Sequence, residues 1–211
     1  MSPLPHPRFA LIADRFTEPA QADRAVAAVR GGVRWVHLRD HTVSVDTFAS
    51  AAAALTARLR ATADAVTVTV NAQMEVAEQL GTGLHVGWRG PSVAQARATL
   101  GEDALIGYSA HEEVEATGDR ARGRDYYFYS PVFATDSKPD QPPAGIGALR
   151  SFCEAAAPTP VFALGGITPD RVEACRAAGA EGVAVLSGIM EADAPAAATR
   201  AYLRALSGAA T

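Results

Sequence analysis

Cysteine is nearly absent: Cys153 and Cys175 are the only two in 211 residues. Both fall in stretches of helical character without metal-ligand spacing, which excludes a disulfide scaffold and favours buried thiols in a reducing compartment. Long apolar runs are missing too. None approaches the roughly 20 residues that cross a bilayer, and the alanines at 51–54 are followed by Arg58 and Arg60. The proline-rich start lacks a basic patch leading into an apolar core, so a cytoplasmic protein is expected. Nor is there an excess of positive charge. With 19 Lys+Arg against 23 Asp+Glu the net charge is -4, so no global field draws nucleic acid or an anionic membrane, and any anionic ligand needs a local site. What is present is a globular balance, 48% hydrophobic and 20% charged, with enough length for one sizeable core.

Eight short apolar segments rich in β-branched and aromatic residues recur at 9–13, 33–38, 66–70, 84–86, 105–108, 126–129, 161–164 and 183–186. Helical stretches separate or follow them at 20–30, 45–61, 72–80, 93–100, 112–117, 146–157, 169–178 and 195–206. Several strands are apolar without alternation, as in a parallel sheet covered on both faces. Glycines precede alternate strands at a spacing of roughly 50 residues, two β/α units per repeat. The count predicts an α/β protein, a (β/α)8 TIM barrel of one domain over residues 9–207, rather than a doubly wound sheet. Residues 1–8 are expected to form a flexible leading segment and 208–211 a tail.

In this fold the chemistry sits at the C-terminal ends of the strands. Those ends carry Asp14, then His37-Leu38-Arg39-Asp40-His41, Asn71, His85, Ser109-Ala110-His111, a long loop from Ser130 to Gly145, Gly165-Gly166 and Leu186-Ser187-Gly188. The turns after strands seven and eight are read as a phosphate cradle of backbone N–H groups from Gly165, Gly166, Leu186 and Ser187. The alternative is that the glycines only permit tight turns. Thr135 and Ser137 in the long loop offer hydroxyls to an anion and Lys138 offers charge. His37 and His85 read as core histidines or mouth residues, the core being favoured for His85.

The segments Tyr129-Ser130-Pro131-Val132-Phe133-Ala134-Thr135-Asp136-Ser137-Lys138, Ala163-Leu164-Gly165-Gly166-Ile167-Thr168-Pro169 and Gly182-Val183-Ala184-Val185-Leu186-Ser187-Gly188-Ile189 resemble the thiamine phosphate synthase/TenI family. His37-Leu38-Arg39-Asp40, Asn71, Gly83-Leu84-His85-Val86-Gly87 and Tyr108-Ser109-Ala110-His111 extend the likeness over nearly the whole chain. The resemblance implies a (β/α)8 barrel and one of two activities. The synthase type joins a pyrimidine diphosphate to a thiazole phosphate with Mg2+ held by two aspartates. Here those positions read Ala72 and Gly90, and His41 stands where the synthase pattern has a lysine.

That loss implies instead the TenI type, a thiazole tautomerase that aromatises a carboxythiazole phosphate without metal, which is the expected activity. In that reading His111 is catalytic as the proton carrier, or else merely caps the following helix. Arg39, oriented by Asp40, would hold the substrate carboxylate, with His37, Asn71 and Ser109 as further substrate contacts. The expected partner is a small-molecule thiazole phosphate. No cofactor is expected, Mg2+ entering only with the synthase reading; nucleic acid and membrane are not expected, and a homo-oligomer stays open. The alternatives are the synthase itself and a catalytically silent phosphate-ligand binder. Trp88 and Arg89 occupy a loop that is acidic in the synthase, where they plug the vacant metal region or touch a ligand.

Overall fold

The computed structural model describes residues 4–137 and 141–208. Eight parallel strands pair in chain order and close on themselves: β1 (Phe9–Asp14), β2 (Trp35–Arg39), β3 (Thr67–Asn71), β4 (Gly83–Val86), β5 (Ile106–Ala110), β6 (Tyr126–Tyr129), β7 (Val161–Ala163) and β8 (Gly182–Val185). The outer layer comprises α1 (Pro19–Gly31), α2 (Val45–Thr62), α3 (Met74–Leu80), α4 (Val93–Leu100), α5 (Gly145–Ala156), α6 (Val172–Ala177), α7 (Ser187–Met190) and α8 (Pro195–Ser207). This is the predicted TIM barrel. Among the described residues no helix is long and apolar enough to cross a membrane.

Alternation within each strand divides two apolar layers. Leu11, Val36, Val68, Leu84, Ile106, Tyr127, Val161 and Val183 point outward into the helices. Ala10, Ile12, Trp35, Leu105, Tyr126, Phe128, Phe162 and Ala184 point inward and fill the barrel. Both layers are buried, which is why the strands read as unbroken apolar runs. Trp35 is the hub of the interior, edge-on to Tyr126 at 4.7 Å and to Phe162 at 5.1 Å between ring centres. Gly107 leaves room for Tyr126, since a Cβ there would lie 2.0 Å from Cζ of that ring. At the lower end Leu4 packs on the inner cluster and Arg8 Nη1 donates to the Leu4 carbonyl at 2.7 Å, so residues 4–8 lie across the bottom.

Helix boundaries follow local chemistry. Ser44 caps α2, Ser92 and Gln95 form a capping box at α4, and Gly32 and Gly81 end α1 and α3 in the left-handed region. The predicted helix at 72–80 starts only at Met74, because Ala72 takes φ +57 in the turn after β3. The predicted helix at 112–117 is replaced by 3-10 turns at Glu113–Ala116 and Asp119–Ala121. The Tyr127 hydroxyl and Arg124 Nη2 donate to the Ala116 carbonyl at 2.8 and 3.0 Å, capturing an acceptor that a continuing helix would use.

His37 and His85 lie within this interior. Trp35 Nε1 donates to Thr69 Oγ1 at 3.2 Å, and His37 Nδ1 meets the same hydroxyl at 3.1 Å. His85 bridges Tyr126 OH at 3.1 Å and Ser109 Oγ at 2.8 Å, and stacks on Phe128 at 4.5 Å. Burial, then the neighbouring His85 and Arg39, hold the His37 imidazole well below its usual range. Burial alone lowers His85 from an ordinary 6.5 to about 3. Between those two values the unfolded chain binds a proton that the folded chain refuses, so stability is complete above the unfolded value and is lost as pH falls. Urea unfolding between pH 6.5 and 4 is expected to show stability decreasing on acidification by up to about 1.4 kcal/mol per pH unit for each buried imidazole. His85→Gln, which keeps polar atoms beside Tyr126 and Ser109, should flatten that slope, and an unchanged slope would show that His85 is not its source.

Candidate active site

The strand C-termini open into a cavity of about 720 Å³. One wall comes from the β7 and β8 turns, the opposite wall from the β2, β3 and β4 turns, and Ser109, His111 and Ser130 lie between them.

The β7 turn is built around close approach. Gly165 and Gly166 sit at φ +95 and +62, and Cβ atoms there would fall 2.7 Å from Pro131 Cα and 2.4 Å from the Ala134 carbonyl oxygen. Only glycine satisfies both the left-handed backbone and the contact with the β6 loop. That loop is laced to the turn by Val132 N–H to Leu164 C=O at 2.9 Å and Phe133 N–H to Gly165 C=O at 3.0 Å. Arg171 donates to the Gly166 carbonyl at 2.7 Å while its guanidinium covers the Phe133 ring at 4.6 Å. Tyr202, from α8, joins the two turns. Its hydroxyl donates to Ile167 C=O at 2.9 Å, and a Cβ on Gly188 would stand 2.1 Å from that oxygen.

With the carbonyls tied down, amides are left over. Among the described residues no backbone acceptor faces the N–H groups of Gly166, Ser187 or Gly188, and all three residues line the cavity. Leu186 and Gly165 line it beside them, and Thr135 and Ser137 reach it from the β6 loop. The structure therefore gathers six of the seven predicted phosphate residues at one end. Lys138 lies outside the described residues.

In the middle, His111 Nδ1 meets the Ser130 carbonyl at 2.6 Å. A carbonyl only accepts, so Nδ1 carries a hydrogen and Nε2 is the ring nitrogen left for another partner. The Glu115 carboxylate holds the strand end by accepting from the N–H groups of His111 and Glu112 at 2.6 and 2.9 Å. Ser109 lines the cavity while accepting or donating to His85 below, so it links the interior to the mouth.

On the opposite wall two expectations change. His37 is 2% exposed and does not line the cavity, because its imidazole is spent on Thr69 and Asn71 inside the barrel. Arg39 and Asn71 do line it. Asp40 does not orient Arg39; Asp14 does, with Nε to Oδ1 at 2.7 Å. Asp40 instead takes hydrogen bonds from the Thr17 hydroxyl and from the Thr42 hydroxyl and N–H at 2.5, 2.7 and 2.9 Å. Burial opposes its charge, but those donors outweigh it and lower the carboxyl below its ordinary range. Tyr202, Arg171 and Glu115 escaped the sequence reading, since each acts on a backbone carbonyl or amide whose position only the fold reveals.

The residues here do not fit a divalent cation. Ala72 and Gly90 face each other, a Cβ on Gly90 standing 3.7 Å from that of Ala72, and neither brings an oxygen ligand. Among the described residues no three His, Cys, Asp or Glu side chains converge as a metal site. Trp88 does not plug the gap; it is 62% exposed.

The sequence pattern of thiamine monophosphate synthase matches residues 9–189. A thiamine-phosphate synthase from Thermobifida fusca is 37% identical over 186 residues, covering 87% of this chain and 84% of its own. One from Natronomonas pharaonis is 35% identical over 194 residues, covering 90% and 89%. In structure, thiamine phosphate pyrophosphorylase from Pyrococcus furiosus superimposes with a TM-score of 0.83 over 95% of this chain and 96% of its own, at 24% identity, a likeness of fold. The curated relatives overturn the expected tautomerase activity: those that align across most of the chain are named synthases, so missing aspartates alone do not divide the two activities.

The joint at Tyr202 can be tested directly. Tyr202→Phe should cost about 1–2 kcal/mol in urea unfolding, because the buried Ile167 carbonyl loses its partner. Calorimetry with inorganic phosphate should show binding weakened several-fold; unchanged stability and affinity would show that the hydroxyl holds nothing.

Proposed function

The chain belongs to the thiamine monophosphate synthase family, and from that membership we propose that it joins a pyrimidine diphosphate to a thiazole phosphate, releasing diphosphate and forming thiamine phosphate. The observation that carries this reading is one continuous cavity with an amide cradle at β7 and β8 and a cationic wall at β2 and β4. The thiazole phosphate seats its phosphate on the amides of Gly166, Ser187 and Gly188 and the hydroxyls of Thr135 and Ser137. Its ring then extends toward Ser109 and His111. The pyrimidine lies beyond, near Asn71, with its diphosphate toward Arg39 and Arg89.

In the reaction the thiazole nitrogen donates its lone pair to the pyrimidine methylene carbon while the carbon–oxygen bond to diphosphate breaks, and that electron pair leaves with the diphosphate. No proton has to change place. His111, its ring held through Nδ1 on the Ser130 carbonyl, is thus a hydrogen-bonding group that positions a substrate. Holding two reactants in one cavity converts a bimolecular encounter into a local one, which is the protein's main contribution. A second reading, a protein that holds the thiazole phosphate without turnover, draws on Ala72 and Gly90.

Incubation with both substrates, followed by oxidation of product to fluorescent thiochrome, is expected to yield thiamine phosphate. Gly166→Val should raise the KM for thiazole phosphate at least about tenfold, a loss of about 1.4 kcal/mol. Binding of thiazole phosphate by calorimetry with no product, in an assay where the Thermobifida fusca relative turns over, would replace the synthase reading by the silent binder.

A further inference from the structure

The β4 turn is where this chain departs most from the metal site that its family resemblance implies. Gly90 N–H donates to Gly87 C=O at 3.1 Å, closing a tight turn, and Arg120 Nη2 donates to the Gly90 carbonyl at 2.5 Å from the β5–β6 connection. The anchored turn displays its two central residues, Trp88 and Arg89, on the cavity wall. The indole is 62% exposed, and the Arg89 guanidinium carbon lies 5.0 Å from its ring centre. A large exposed aromatic ring on a cavity wall is poised for a flat apolar surface.

The charges around this turn favour an anion. Asp40 is the only carboxylate lining the cavity among the described residues, and its oxygens are already bound by Thr17 and Thr42. Arg39 is paired with Asp14, whereas Arg89 has no carboxylate partner among the described residues. A guanidinium with free edges matches phosphoryl oxygens in both charge and geometry. Ala72 and Gly90, beside it, add no opposing charge and leave space.

We propose that Trp88 and Arg89 form a metal-independent subsite for an aryl diphosphate, the guanidinium binding phosphoryl oxygens and the indole stacking on the aromatic ring. That the ligand is an aryl diphosphate rests on the synthase reading. The preference for an anion stands on the residues themselves: a cation, Arg89, next to Gly90, where the metal pattern needs a carboxylate, and an indole ring beside it.

Two tryptophans make the test direct, because Trp35 is fully buried in the barrel and Trp88 is exposed. The full chain is titrated with inorganic pyrophosphate, in EDTA and separately in Mg2+, by calorimetry and indole fluorescence. Saturable binding is expected in EDTA, with affinity within about threefold of that in Mg2+ and an emission change that disappears in Trp88→Phe. Arg89→Gln should weaken binding by about tenfold or more, and Arg89→Lys should restore part of it. Urea unfolding of each variant shows that the barrel is intact. Binding that requires Mg2+, or that ignores Arg89→Gln, overturns the subsite. The two readings fail separately. If no thiamine phosphate forms yet Arg89-dependent binding persists in EDTA, the synthase reading falls and the subsite stands. If turnover and pyrophosphate binding both need Mg2+, the subsite falls and the synthase reading stands.

Discussion

The inside of the barrel has to be filled, and nearly every other feature depends on how that is done. Trp35, Tyr126, Phe128 and Phe162 occupy the axis, with Gly107 giving way to Tyr126. Aromatic rings supply the volume cheaply in conformational terms, having few rotatable bonds. The upper part of the interior is finished by polar groups that satisfy one another: Thr69 with Trp35 and His37, and His85 with Tyr126 and Ser109. A closed, solid interior leaves no room for a ligand along the barrel axis, and the cavity of about 720 Å³ lies above the strand ends, where the loops line it.

That pocket has two walls of different construction. The β7–β8 wall is over-determined: backbone bonds to the β6 loop, Arg171 on Gly166, and Tyr202 across Ile167 and Gly188 all fix the same turns. Such bracing keeps amide donors aimed before a ligand arrives, which lowers the ordering cost of binding an anion. The β2–β4 wall is made of side chains on short turns. Its character changes with single residues, as Ala72, Gly90, Trp88 and Arg89 illustrate. One end of the cavity is therefore rigid and lined by backbone amides, and the other takes its character from individual side chains.

The structural errors of the sequence reading come from contacts that linear spacing does not mark. His37 and Arg39 lie two residues apart on one strand and both point inward, yet His37 falls within the sealed interior and Arg39 at the open mouth. Two residues span one layer of the barrel, a depth that linear spacing does not mark. Asp40 and Asp14 were exchanged as partners of Arg39 because Asp14 comes from the neighbouring strand, opposite Arg39 in the β1–β2 register. The helix expected at 112–117 gives way to 3-10 turns because side chains from 124 and 127 take the Ala116 carbonyl. The choice of activity went astray for another reason: it rested on absent carboxylates, and an absence names no alternative partner for the charge.

The sequence by itself determined the eight strands, the parallel closed sheet and the glycine turns after β7 and β8. Those properties follow from periodicity, from glycine at left-handed positions and from apolar runs buried on both faces, all of which are local or nearly so. Tertiary structure alone decided which histidine is sealed and which is open, that Asp14 and not Asp40 holds Arg39, and that Tyr202, far along the chain, braces the β7 and β8 turns. Each of these depends on register between strands and on depth along the barrel axis. Residues distant in sequence share those coordinates only after the eighth strand has closed against the first.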